Sequence, residues 1–179
     1  MAHFGLLIAC VLLAIGLIAP AASASLLDDR FDGNIFALYA GNGSLVPPQL
    51  TLAQSFKGER PTILTFYIED SQDCKQFSAI ISQLQAYYGR AADIIPINVD
   101  AIPVQSSYSI DEPGYYYSGK VPQTLIFDAS GKKVLDVVGR ATFEQFDDQL
   151  REVFNLLPRS ESVELRRRPF NEVNAELVK

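Results

Sequence analysis

The feature that most constrains the fold is an apolar run, residues 62–68 (TILTFYI), followed at once by a helical pattern. Its β-branched and aromatic residues predict a strand buried on both faces. Residues 70–73 then supply helix N-cap side chains, and Gly89 supplies the C-terminal stop. Between them the apolar residues recur at helical spacing: Phe77, Ile80, Ile81, Leu84 and Tyr88. Residues 94–99 predict a second strand, which Pro96 places at an edge or a bulge.

The following part of the chain predicts a β-hairpin and a closing helix. Residues 124–128 and 134–139 have strand character and are separated by the turn residues 129–132. Thr142 and Gln145 form a capping box, which marks the start of a helix. Its predicted apolar face comprises Phe143, Phe146, Leu150, Val153, Phe154 and Leu157, and Pro158 is its predicted stop.

The remaining segments predict one domain with tails, since 179 residues favour a single domain. Residues 1–24 are expected to be a secretory signal peptide or, if retained, a membrane anchor, because an apolar run precedes small residues there. Residues 25–60 form an N-terminal segment with one short helix, residues 61–157 the main domain, and residues 158–179 a charged tail. The arginines at 166–168 could contact anionic lipid, but neighbouring glutamates favour a solvated tail.

Composition excludes several kinds of function. A net charge of −6 disfavours a nucleic-acid partner, which would require a basic surface. Cys10, Cys74 and His3 are the only cysteines and histidine, so a zinc site or a histidine-based catalytic triad is not expected. No phosphate-binding glycine motif occurs, and no metal or cofactor is predicted. Function must therefore depend on one thiol, carboxylates, hydroxyls or surface shape.

Three motifs in this order resemble those of thioredoxins. Residues 65–67 lead into residues 71–75 (SQDCK), where thioredoxins have a strand and Cys-x-x-Cys-Lys. Residues 97–100 (INVD) resemble the central strand, and residues 121–124 (VPQT) resemble the cis-proline turn. The resemblance implies an α/β fold, an α/β/α sandwich with a mixed sheet flanked by helices. It also implies that Pro122 is cis and that Val121 and Pro122 offer backbone groups to an extended peptide.

The corner that corresponds to the thioredoxin active site departs from the family pattern. Ser71 stands where the attacking cysteine would be, and only the second position keeps a thiol, Cys74. Dithiol exchange needs one thiolate to attack and another to release the mixed disulfide, so a standard disulfide reductase is excluded. Two alternatives remain for Cys74: an inert packed residue, or a reactive monothiol favoured by the helix N-terminus and opposed by nearby acidic residues.

At finer grain the whole chain, including residues 39–43 (YAGNG) and 157–162 (LPRSES), is similar to the cyanobacterial thylakoid membrane photosystem I accumulation factor family. This resemblance implies a thioredoxin-like protein that supports photosystem I accumulation, although the fold does not imply its biochemical activity. Together with the missing dithiol, it predicts a non-catalytic binding or assembly factor that holds a membrane-protein subunit or assembly partner. It also implies a thylakoid location, lumenal or membrane-associated, reached through the N-terminal signal. The alternative function is a monothiol redox protein that forms mixed disulfides through Cys74.

A tyrosine-rich segment, residues 106–119, is the predicted recognition surface. It carries Tyr108, Tyr115, Tyr116 and Tyr117 within a stretch that shows no regular secondary-structure pattern. Tyrosine suits an interface because it presents a large apolar face with a polar tip. The alternative is that these rings cover the edge of the sheet.

Overall fold

The computed structural model describes residues 24–162; the predicted leader up to Ser23 and the tail from residue 163 onward lie outside this range. The helices are α1 (Ile35–Ala40), α2 (Leu52–Lys57), α3 (Gln72–Tyr88) and α4 (Phe143–Val153). The strands are β1 (Thr62–Tyr67), β2 (Asp93–Asn98), β3 (Gln123–Phe127) and β4 (Lys133–Val138). Short 3-10 turns cover Gly43–Leu45, Val99–Ala101, Pro113–Tyr115 and Arg159–Glu161.

The four strands form one mixed sheet in the order β2-β1-β3-β4. β1 pairs in parallel with β2, with Leu64 opposite Ile95, and antiparallel with β3, with Leu64 opposite Leu125. β3 and β4 form the predicted antiparallel hairpin. Every residue of β1 is buried, as its apolar run predicts, and Pro96 lies in the edge strand β2 as expected.

Side chains from the two faces of the sheet build two apolar cores. The first core contains Ile63 and Ile126 of the sheet, packed against α1, α3 and α4. The second core contains Leu64, Phe66 and Phe127, covered by α2 and by part of the long segment after β2. Helical cover on both faces confirms the expected α/β fold, a mixed sheet flanked by helices.

The N-terminal segment contributes more to the first core than the sequence indicates. α1 was not predicted, yet its Ile35 and Phe36 are fully buried, and the Phe36 ring meets Tyr67 edge-on at 5.0 Å. Asn34 caps this helix by accepting a hydrogen bond from the Ala37 amide at 2.9 Å. Residues 34–57 are therefore part of the same packed body as the sheet.

The closing helix is shorter than its apolar pattern predicts. α4 starts at the predicted capping box of Thr142 and Gln145 but ends at Val153. Asn155 then adopts a left-handed φ of 52°, which turns the chain away from the helix axis. Leu157 is consequently exposed, so its prediction as a member of the buried face is wrong.

Candidate functional site

Ser71 caps the start of α3 at the corner where a thioredoxin has its attacking cysteine. Its side-chain oxygen accepts a hydrogen bond from the Cys74 amide at 3.3 Å. This satisfies one of the amides that a helix N-terminus leaves without a partner in the helix. The serine hydroxyl therefore stabilises the helix end at the position where thioredoxins place a nucleophile.

The Cys74 thiol faces the first core and is only 1% exposed. Burial raises its pKa, and the carboxylates of Asp73 and Asp70 add to that shift. Hydrogen bonds from the Ile68 amide and from Ser71 act in the opposite direction but do not offset burial. The thiol is therefore protonated at neutral pH, and the thiolate is the form that attacks sulfur. These properties favour the packed alternative for Cys74.

Lys75, the next residue, is completely buried, and its ammonium is surrounded by oxygen atoms from residues 25–32. The nitrogen lies 2.6 Å from Asp32 Oδ2 and 3.1 Å from Asp28 Oδ1. It also lies 3.1 Å from the backbone oxygens of Ser25 and Asp28. Such complete pairing is what a buried cation requires, because an unpaired charge would be very costly to desolvate.

Residues 25–32, called the acidic cover below, lie over the beginning of α3. Asp29 Oδ1 accepts a hydrogen bond from the Gln72 amide at 2.7 Å, which places a carboxylate at the positive end of the helix dipole. Gln76 donates its side-chain amide to the Leu26 carbonyl at 3.2 Å. The chain itself thus occupies the helix N-terminus beside Ser71 and Cys74.

The acidic cover should stay attached until strongly acidic pH. Hydrogen bonds from Lys75 and Tyr39 lower the pKa of Asp32 from 3.8 to about 2. A lowered folded-state pKa stabilises the fold above the unfolded pKa, and this contribution is lost as pH falls from about 4 towards 2. In an NMR titration, the Ser25 amide, which donates to Asp32 at 3.3 Å, should shift with a midpoint near pH 2. A midpoint near 3.8 would contradict the pairing.

Alkaline pH should leave the acidic cover in place over a wide range. Burial alone would lower the pKa of Lys75, but its hydrogen bonds to Asp32 and Asp28 outweigh burial and raise the pKa above its usual 10.5. A raised folded-state pKa stabilises the fold below the unfolded pKa, and that stabilisation is lost only as pH rises through the folded value. The same amide should therefore report an attached cover from about pH 5 to pH 10.

The Val121–Pro122 peptide bond is cis, as the resemblance to thioredoxins predicts. Pro122 is buried, and its carbonyl accepts a hydrogen bond from the Gly139 amide at 2.7 Å. Val121 is half-buried and packs against both cores. Within residues 24–162 the backbone N–H and C=O of Val121 have no hydrogen-bond partner. These two groups are available for a strand-like contact with another chain.

The predicted tyrosine-rich surface divides into a packed part and an exposed part. Tyr116 and Tyr117 lie against Phe127 and Phe66 of the second core, with ring centroids 4.9 Å and 5.3 Å apart. Tyr115 is 56% exposed and meets only the edge of the Tyr116 ring among the aromatic contacts of the described chain. Tyr116 and Tyr117 therefore cover one sheet face, while Tyr115 points to solvent.

The loop between β2 and β3 exposes further apolar side chains. Val104 is fully exposed and Ile110 is largely exposed. The Ile110 carbonyl accepts a hydrogen bond from the Tyr116 hydroxyl at 2.7 Å, which ties that part of the loop to the packed tyrosines. Gln123, directly after the cis-proline, donates to the Tyr116 carbonyl at 3.0 Å and accepts from the Ser118 amide at 2.9 Å. The loop is thus fastened to the cis-proline turn.

The fold and this corner define a thioredoxin-like protein that lacks the dithiol. The parallel β1–α3–β2 unit, the cis-proline entering β3 and the closing helix have the expected order, but the redox pair is replaced by Ser71 and a buried Cys74. Within residues 24–162 no three metal-ligating side chains are grouped, and no helix there is both long and apolar enough to cross a membrane.

Comparison with known proteins identifies the family. The chain is 60% identical over 157 residues to thylakoid membrane protein slr1796 of Synechocystis sp., covering 88% of this chain and 78% of that protein. It belongs to the family of that thylakoid membrane protein. No protein-family model matches the chain. Among solved structures, a mutant thioredoxin from Halobacterium salinarum NRC-1 is similar at 20% identity and a TM-score of 0.47, covering 60% of this chain and 86% of the thioredoxin.

Proposed function

We propose that this protein is a non-catalytic, thioredoxin-like assembly factor that acts at the thylakoid membrane and supports photosystem I accumulation. It reaches the membrane through its N-terminal signal and works on the lumenal side or in association with the membrane. Its partner is a membrane-protein subunit or an assembly partner of photosystem I. The relationship to a thylakoid membrane protein supports the location.

One observation carries the non-catalytic part of the proposal. At the Ser71–Cys74 corner the thiol is buried, and residues 25–32 of the same chain bind at the start of α3. Cys74 is buried in the first core, and the acidic cover is fixed over the helix start by the buried Lys75. A client disulfide would meet a helix start that the acidic cover already occupies and a thiol that the first core buries and whose pKa is raised. A fold with a closed corner retains its surfaces for binding but not the access that disulfide exchange needs.

The exposed part of the long loop is the surface we assign to the partner. Val104, Ile110 and Tyr115 expose apolar area on a segment fastened beside Val121, whose backbone groups are available for pairing. We infer that these side chains form one patch, because contiguous exposed apolar area is a common mark of a protein interface. Tyr116 and Tyr117 support this surface from below by packing on the sheet.

The function is tested in a Synechocystis strain that lacks the related thylakoid membrane protein. The strain is complemented with this chain or with its Cys74→Ser variant, and photosystem I content per chlorophyll is measured. We expect both to restore photosystem I to the same level, because the thiol takes no part. Failure of the wild-type chain to restore it would overturn the proposed role. Restoration by wild type but not by a normally folded Cys74→Ser protein would favour the monothiol alternative.

Tyr115→Ala should weaken partner binding without changing the fold. A tyrosine that acts as an interface hot spot contributes about 2 kcal/mol or more, or roughly 30-fold in affinity. Binding to photosystem I subunits solubilised from thylakoids is measured by quantitative pull-down over a dilution series. Leu157→Ala, which removes an exposed apolar side chain outside the loop, is the matched control. Equal affinity of both variants and wild type would place the recognition surface elsewhere.

A further inference from the structure

An apolar cavity of about 320 Å³ lies between the turn at residues 46–48, the end of β2 and residues 101–114. Other residues of the partner-binding loop, Tyr108 and Glu112 among them, line it, but Tyr115 and Val121 do not. Small-molecule sites commonly have volumes from about 300 Å³ upward, apolar walls and a few fixed polar groups. The cavity has this character.

Tyr67 lines this cavity, and its hydroxyl has no protein hydrogen-bond partner within residues 24–162. Since no fully buried side-chain oxygen of the described chain lacks a partner, this hydroxyl is still reached by solvent. The residue is only 3% exposed, and its ring is held edge-on by Phe36. Tyrosine hydroxyls in packed surroundings normally find a partner, as that of buried Tyr88 does with Asp147 and that of half-buried Tyr116 does with the Ile110 carbonyl. On a residue that lines an apolar cavity, such a solvent-accessible donor can be met by an acceptor that a ligand supplies.

The other polar groups of the cavity favour a neutral ligand. Asn98 Oδ1 already accepts from the Asp100 amide at 3.0 Å, which leaves its NH₂ group as a donor. Glu112 accepts from the Ser109 amide at 2.6 Å and from the Gln105 side chain at 3.4 Å. No Lys or Arg of the described chain lines the cavity, so an anion has no partner there, and the Glu112 carboxylate would repel one. Burial raises the pKa of Tyr67 to about 12, which keeps its proton in place.

Prolines make the walls rigid. Pro47, Pro48, Pro96, Pro103 and Pro113 all line the cavity, and proline side chains have no rotamers to lose on binding. A preformed cavity reduces the entropy cost of binding and suits a ligand of fixed shape better than a flexible chain.

We propose that this cavity binds a neutral, mostly apolar small molecule that carries a carbonyl oxygen, and that this oxygen accepts a hydrogen bond from Tyr67. The apolar body of the molecule lies among the prolines, and Asn98 donates to a second acceptor where the molecule has one. The small molecule is bound reversibly, with no covalent step.

The test uses the full chain and the neutral fluorophore prodan, an aromatic ketone whose emission shifts to the blue in apolar surroundings. We expect saturable binding with one site per chain. Tyr67→Phe, which removes only the hydroxyl, should weaken binding about three- to tenfold. Ala101→Trp, at an exposed residue of the cavity rim, should abolish it by filling the space. Melting temperatures of both variants are compared with wild type.

Matched controls separate this site from general adhesion to apolar surface. Tyr87→Phe removes a hydroxyl outside the cavity, and Leu157→Trp adds a tryptophan at an exposed position that does not line it. Both should bind prodan as wild type does. No saturable binding by wild type, or wild-type affinity in Tyr67→Phe and Ala101→Trp, would overturn the proposal. Displacement of prodan by an acetylated and amidated deca-proline peptide at comparable affinity would also overturn it, by assigning the cavity to a protein segment.

Discussion

Replacing Phe36 with alanine is expected to lower the free energy of unfolding by about 3–5 kcal/mol, the usual cost of truncating a fully buried aromatic ring. Phe36 is 1% exposed and lies edge-on against Tyr67 of the central strand β1. Its removal leaves a cavity between α1 and the sheet that neighbouring side chains can only partly fill. The expected loss of unfolding free energy is large because the N-terminal segment forms part of the first core.

Urea denaturation of the full chain measures this effect, with Leu38→Ala as the control on the same helix. Leu38 is 49% exposed, so its truncation should cost less than about 1 kcal/mol. Both variants place alanine on the same helix, and they differ mainly in the buried area that is removed. Equal, small losses for both would show that α1 is only loosely attached to the sheet.

Replacing Lys75 with methionine should detach the acidic cover from α3. Methionine retains much of the side-chain volume but leaves Asp28 and Asp32 without the cation that both contact. Removing one partner of a buried ion pair leaves an uncompensated charge, and these carboxylates can regain water only if the segment moves away. Amide exchange of residues 25–32 and of Gln72, whose N–H is bonded to Asp29, should accelerate roughly tenfold or more.

Hydrogen exchange followed by mass spectrometry measures this detachment, and Arg30→Met is the matched control. Arg30 also pairs with Asp28, at 2.9 Å, but its side chain is exposed. Exposed ion pairs contribute little, so the control should exchange nearly as wild type does. If the Lys75 variant keeps wild-type protection over residues 25–32, the acidic cover is held by something other than this lysine.

Local patterns in the sequence predict most of the central fold. The β1 run, the capped helix α3 and the hairpin each carry a signal within a few residues, and the structure places all three as expected. α1 escapes prediction because six residues are too few for a stable isolated helix. Its stability comes from packing Ile35 and Phe36 on the core, which is a long-range effect. The end of α4 at Val153 is not predicted either, because the apolar pattern continues to Leu157 while the chain turns at Asn155.

The candidate site shows the same division between local and distant information. The sequence shows that Ser71 replaces the attacking cysteine, and it also predicts the helix cap that Ser71 provides. The acidic cover could not be predicted from the sequence. Asp28 and Asp32 lie more than 40 residues from Lys75 and resemble ordinary solvated charges. The only sequence signal was three aspartates within five residues and a lysine in the first turn of a helix with an apolar face. Such a pattern does not specify pairing.

The central claim is that the Ser71–Cys74 corner is closed to thiol chemistry, and the alkylation rate of Cys74 tests it most directly. In the Cys10→Ser chain Cys74 is the only thiol, so iodoacetamide labelling followed by intact mass reports on it alone. We predict that Cys74 in the folded chain is labelled at least about 100-fold more slowly than in the chain unfolded in urea. The reason is that the buried thiol reacts only when the structure around it opens locally. A rate in the folded chain within a few-fold of the unfolded rate would contradict the claim.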